Sequence, residues 1–244
     1  MEFKRLLAGL GFGGAAVQTV LREGEVRPGG VLAGTVHVEG GEVDLHIDEV
    51  TVGLQARAEM DKGEVEWDIE LQLKHERVKE SLELAERAKV DVPFELELPW
   101  ETPLTRYRGK PIRGMGVGLY TQLHVSAAVD PEDLDPVAVA PLASHTAVLD
   151  AAEAAGLPLR RARLERGTVS GMEQRLPFYQ QLCFGAADRG PEVDIVFVTG
   201  ERACQVLAER RDGHGAPWQG SVDHDGPAAG AAELSAWLES AARP

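Results

Sequence analysis

The sequence predicts an all-β protein built as two stacked-sheet lobes with a few short helices. Three observations predict it. Apolar and polar residues take turns along most segments, as in Val65, Trp67, Ile69, Leu71 and Leu73 set against Glu66, Asp68, Glu70 and Gln72, which is the period of a strand with one wet face. Strands of that kind belong to antiparallel sheets, because parallel strands are covered on both faces and lose their polar positions. Turn punctuation separates the strands, with Pro28-Gly29-Gly30 before one alternating run and Gly40-Gly41 after it; Pro fixes its own φ and Gly tolerates a positive one. Finally, 244 residues suit two domains of about 120 residues, each able to bury a core.

Taken in order, the chain opens with helical spacing at Phe3, Leu6, Leu7 and Leu10. A helix of about two turns is unstable alone and has to dock; the expectation is that it docks on the protein's own sheet, ahead of a partner or a lipid surface. Between Gly41 and Met60 the inward parity switches from odd (Val43, Leu45, Ile47) to even (Val50, Val52, Leu54). A one-residue slip reverses every side chain, so Asp48-Glu49 marks a β-bulge or a change of strand. Val90, Val92, Phe94, Leu96 and Leu98 form one strand face, and Pro93 on the other face argues for a sheet edge, since it brings no N–H to a ladder. Val117, Leu119, Leu123, Val125 and Val129 repeat the pattern.

The stretch Asp130 to Pro136, with prolines near both ends and four acidic residues, reads as a joint. Four carboxylates close together repel, so a salt-responsive hinge is expected there. The reading is therefore an N-terminal β-sandwich over 1–130 carrying the amphipathic helix, a hinge at 131–136, a C-terminal β-sandwich over 137–226 and a tail with a short helix at 227–244. Beyond the joint, Val148, Ala152 and Ala155 mark one internal helix ended by Gly156 and Pro158. Strand-like segments follow at 159–167, 176–184, 192–200 and 203–211. A Gly-rich loop over 212–230 then leads to a final helix with Leu234, Trp237, Leu238 and Ala241 on one face.

Several of these segments together resemble a known family. The N-terminal helix with 17–41, "VPFELELPWETPLT" (92–105), "GLYTQLHVSAAVDPEDLDPVAV" (118–139) and "LPFYQQLCF" (176–184) are similar to the bacterial sporulation-control proteins of the stage-zero-M type, over about residues 1–225. The most specific parts are Trp100 to Pro103 and Ala128 to Pro136. That family resembles the arrestins, which implies two arrestin-like β-sandwich domains joined by a short hinge, and an adaptor or regulator with no catalytic centre. Cys183 departs from the polar or acidic residue expected in its strand.

The function classes divide accordingly. A formal charge of −15 repels phosphate backbones, so no nucleic-acid partner is expected, and it disfavours peripheral contact with anionic lipid. No apolar run is long enough to span a bilayer, and the N-terminus lacks a signal-peptide cleavage pattern, which gives a cytoplasmic expectation. Cys183 and Cys204 have neither a CxxC spacing nor a His partner and read as reduced core thiols. Gly-x-Ser-x-Gly is absent, and "GLGFGG" lacks the strand and helix that would make it a phosphate cradle. Asp44, His46 and Asp48 share a strand face, and His214, Asp223, His224 and Asp225 share a loop, yet neither set has ligands converging from other elements. Asp130, Asp133 and Asp135 lack the Gly and distal Glu of an EF-hand. No catalytic residue, metal ligand or cofactor is expected.

The reading is a non-enzymatic cytoplasmic regulator or adaptor in developmental or cell-cycle control. It would bind other proteins through the helix at Phe3, Leu6, Leu7 and Leu10 and through the edge at Pro93, Glu95 and Glu97. The rival is a small-molecule or metal-binding β-sandwich. Homo-oligomerisation is left open by the sequence.

Overall fold

The structure, a computed structural model, describes residues 14–62, 65–125, 132–185 and 190–243, and the side chains among these outside 58–70. The segment with Phe3, Leu6, Leu7 and Leu10, and Val129 and Asp130, lie outside the described residues.

The all-β class holds, with stacked sheets and two helices among the described residues. The N-terminal half contains β1 (Ala16–Leu21), β2 (Val31–Glu39), β3 (Leu45–Lys62), β4 (Val65–Leu84), β5 (Lys89–Glu97), a hairpin of β6 (Arg106–Tyr107) and β7 (Lys110–Pro111), β8 (Met115–Val125) and β9 (Glu132–Pro136). A three-stranded sheet in the order β1-β2-β5 faces a four-stranded sheet in the order β4-β3-β8-β9. Alternation fixes which side chains meet between them. Leu32, Val36 and Val38 of β2 and Val92, Phe94 and Leu96 of β5 are buried against Ile47, Val50, Val52 and Leu54 of β3 and Leu119 and Leu123 of β8, each large aliphatic contributing about 1.5–3 kcal/mol. The parity switch in β3 is realised as a register shift against β8 between Ile47 and Glu49. The acidic stretch read as a joint is, over Glu132–Pro136, strand β9 paired with β8.

The crossover that follows is tied along its backbone. Val26 N–H donates to Ala138, Ala140 N–H to Val26, and Thr105 and Arg106 N–H to the Val139 carbonyl; the Val139 N–H donates to Thr105 Oγ1 at 2.8 Å. The C-terminal half then has α1 (Ala143–Ala154), β10 (Leu159–Arg166), β11 (Phe178–Gly185), β12 (Glu192–Thr199), β13 (Ala203–Arg210), β14 (Trp218–Asp223) and α2 (Ala228–Ala241). Gly156, at φ +82°, closes α1 as its position predicts.

The five strands β10 to β14 make one antiparallel meander. Its inner face (Leu182, Phe184, Val193, Ile195, Val206, Val222) is covered by Val148 and Leu149 of α1 and Leu234 and Leu238 of α2, so the layer stacked on this sheet is helical. Its outer face is covered at Val196 and Val198 by Val169 and Met172 from the segment 167–177. The apolar core is continuous through both halves.

β14 corrects the expectation of a loop over 212–230. The run Trp-Gln-Gly-Ser-Val-Asp has one buried position, Val222, too little alternation to be seen locally. Gly230 lets α2 lie against it, since a β-carbon there would sit 2.5 Å from the Ser221 carbonyl oxygen. Arg210 donates to the carbonyls of Ala241 (3.1 Å) and Arg243 (3.0 Å) at the end of α2, where cations complement the exposed carbonyls.

Candidate interaction site at one flank of the sandwich

The two flanks of the N-terminal sandwich differ. On one, β1 runs beside β8 and β9 and the flank is stitched. Arg22 N–H bonds to the Ala33 carbonyl, so by the alternation of an antiparallel ladder the odd residues of β1 turn their backbone groups outward. Thr19 is one of them, and its N–H donates to Asp133 Oδ2 of β9 at 2.7 Å, while its hydroxyl meets Thr121 Oγ1 at 2.8 Å. Burial, then the neighbouring Asp133, raises the Asp135 carboxyl above its usual range.

On the other flank β5 is the last strand of its sheet and runs beside β4. Leu98 N–H donates to Gly30 and Gly40 N–H to Ala88, and these two pairs bracket the β2–β5 register. The even residues of β5 therefore bond to β2, and the odd ones point their N–H and C=O away from the sheet. Pro93 is odd, so its missing N–H removes nothing from the ladder and blunts the edge at its middle. The edge position expected from Pro93 is the one observed. Glu95 and Glu97 keep outward N–H groups, and their side chains are exposed. Along the outer row Lys89 pairs with Glu39 at 3.1 Å, Asp91 with His37 at 2.7 Å, and Glu95 with Arg22 at 4.0 Å.

This edge ends in a hub between the halves. Trp100 stacks on His224 with ring centroids 5.9 Å apart. Glu101 accepts the N–H groups of Arg175 (2.7 Å) and Leu176 (2.8 Å), tying the segment over the second sheet to the first half. The buried Gln180 amide of β11 accepts from Leu104 N–H at 2.9 Å and donates to the Leu104 carbonyl at 2.7 Å. His224 donates from Nε2 to the Gly200 carbonyl and receives Ser144 Oγ at Nδ1, both 2.8 Å. A cleft of about 720 Å³ opens beside the hub, with Lys74, Glu97, Trp100, Glu173, Arg175, Glu201 and Arg202 on its walls. A latch lies beyond it: Tyr107 Oη donates to Asp150 Oδ1 at 2.5 Å and Arg108 binds Asp150 and Glu153 of α1; burial, then the Asp150 hydrogen bond, raises the Tyr107 pKa.

Other singled-out residues are held in local contacts. His46 Nδ1 meets Glu83 at 2.7 Å, and Asp44 accepts Glu86 N–H at 2.8 Å. Among the described residues no cluster of three or more His, Cys, Asp or Glu has metal-holding geometry. Cys183 and Cys204 are buried and unpaired; burial pushes the Cys204 thiol up to about 12 and raises Cys183 as well, the opposite of an activated nucleophile. His145, wholly buried, was not singled out by sequence. Its Nδ1 accepts Leu142 N–H at 3.2 Å and its Nε2 donates to Thr199 Oγ1 at 2.8 Å; burial, then His224, lowers its pKa to about 3.

Comparison with known proteins agrees with this architecture. The family described as Spo0M, SpoOM protein, matches residues 3–211. The sporulation-control protein spo0M of Bacillus subtilis (strain 168) is 28% identical over 212 residues, covering 85% of this chain and 79% of that protein. The crystal structure of Spo0M from Bacillus subtilis superposes with a TM-score of 0.78 at 23% identity, covering 94% of this chain and 98% of the other.

Proposed function

Because the chain belongs to the Spo0M family of sporulation-control proteins, we propose that it is a non-enzymatic, cytoplasmic adaptor that regulates by holding other proteins. The observation that carries the reading is the asymmetry of the sandwich. One flank is closed by Asp133 on Thr19, while the other leaves β5 with outward backbone groups at Glu95 and Glu97. An open edge strand accepts a partner's strand by main-chain hydrogen bonding. The hub at Trp100, Glu101 and Gln180 supports it, because it fixes the second half beside the open edge.

Crosslinking in the native cell followed by mass spectrometry tests the proposal. Partners are expected on the intact chain, with crosslinks near β5, and the double variant Glu95→Lys/Glu97→Lys is expected to lose them while keeping its circular dichroism. Recovery of the same partners in the same amounts from the variant would sink the β5 assignment; no partner on either protein would sink the adaptor reading.

A further inference from the structure

Resting on that reading, the geometry points to the kind of segment that β5 receives: we infer that it binds an extended, antiparallel stretch of a partner protein in which basic and apolar residues alternate. Residues across a ladder share a face. A strand added to β5 therefore sets one series of side chains beside Glu95 and Glu97 on the outer face, and the other series over the rim of the core beside Phe94 and Leu96. The outer row is acidic, and like charges directly opposite one another are unfavourable, so that series is basic. The inner row is buried hydrocarbon, so the other series is apolar.

The same parity sets the hydrogen bonding. Glu95 and Glu97 turn their N–H and C=O outward, so the basic residues opposite them occupy the hydrogen-bonded positions. Pro93 offers no donor and ends the pairing on that side. At the other end an antiparallel segment runs back from Glu97 into the cleft. There Lys74 is held by Glu76 at 2.7 Å and Glu101 is held by backbone amides. Of the remaining charged groups on the walls, the carboxylates Glu97, Glu173 and Glu201 outnumber Arg175 and Arg202, which suits a basic segment.

The test uses the full chain and labelled synthetic peptides read by fluorescence anisotropy. An alternating Lys-Val heptapeptide is expected to bind at least about tenfold more tightly than a block isomer of the same composition, a difference of about 1.4 kcal/mol, and an alternating Glu-Val peptide is expected not to bind. N-methylation of the lysine amides is expected to abolish binding, whereas N-methylation of the valine amides leaves it. Glu95→Lys/Glu97→Lys is expected to lose binding with the fold intact, and Glu95→Pro, which removes one more outward N–H, to weaken it at least about tenfold. Equal binding of the alternating and block peptides, or equal tolerance of methylation at both positions, would overturn the inference. Failure of these peptides while cellular partners are still lost on charge reversal at Glu95 and Glu97 would also overturn it and leave the adaptor reading standing.

Discussion

The indole of Trp100 occupies the space where any residue but glycine at position 29 would carry its side chain. A β-carbon on Gly29 would lie 2.4 Å from the ring, and the backbone there has φ +72°. The turn that punctuates the start of β2 is thus also the floor under the aromatic residue joining the two halves. Gly29→Ala meets both the ring and the left-handed backbone penalty, and is expected to destabilise by about 2–3 kcal/mol. Urea unfolding measures this. Near-ultraviolet circular dichroism is expected to lose intensity as Trp100 leaves His224, and an unchanged midpoint would contradict the packing described.

Acid weakens the fold through His145. Its pKa in the folded protein is depressed from 6.5 to about 3 by burial, so below pH 6.5 the unfolded chain takes up a proton that the folded chain refuses. Stability from this group is complete above pH 6.5 and falls towards pH 3 by about 1.4 kcal/mol per pH unit. Asp212, held down to about 2 by Arg210, adds a loss only below the ordinary carboxylate range of about 3.8. Asp135, raised by burial and by Asp133, works the other way as pH falls, so the share of His145 is read as the difference in slope between the parent and its variant from pH 6.5 to 4.5. His145→Gln is expected to be less stable at pH 7 and to have a shallower slope in that interval; equal slopes in the two proteins would contradict this account.

Glu101 and Gln180 should separate in experiment although both cross between the halves. Gln180→Ala leaves the buried N–H and C=O of Leu104 without partners and is expected to cost about 2–4 kcal/mol. Glu101→Ala frees the amides of Arg175 and Leu176, which lie nearer the surface, so the global loss is expected to be about 1–2 kcal/mol. Its sharper signature is hydrogen exchange: the amides of Arg175 and Leu176 should exchange faster while those of β12 do not change.

Much of the N-terminal half was legible because alternation is a local signal. The faces of β5 and β8, the parity fault at Asp48-Glu49 and the edge position of Pro93 each rest on residues within a dozen positions of one another. The hub was not legible in that way. Trp100 to Pro103 stood out through family resemblance alone, because Leu104 and Gln180 are 76 residues apart and no period relates them. His145 was hidden for a similar reason, as its burial depends on Thr199 from β12. β14 was missed because its glycine and single buried valine look like loop until β13 lies beside them. The expected interaction residues Pro93, Glu95 and Glu97 share one exposed row, whereas Phe3, Leu6, Leu7 and Leu10 lie outside the described residues.

The stretch that matches the family description ends at residue 211, but the meander does not. Cys204, Val206 and Ala208 are wholly sheltered, β13 has β14 as its outer neighbour, and α2 lies over the inner face. A polypeptide clipped at Arg211 would be born with a sticky, half-finished border and would be driven to clump with its siblings. The end of that match is a poor place to cut this molecule, because the thirty-odd residues that come after are what cover the border.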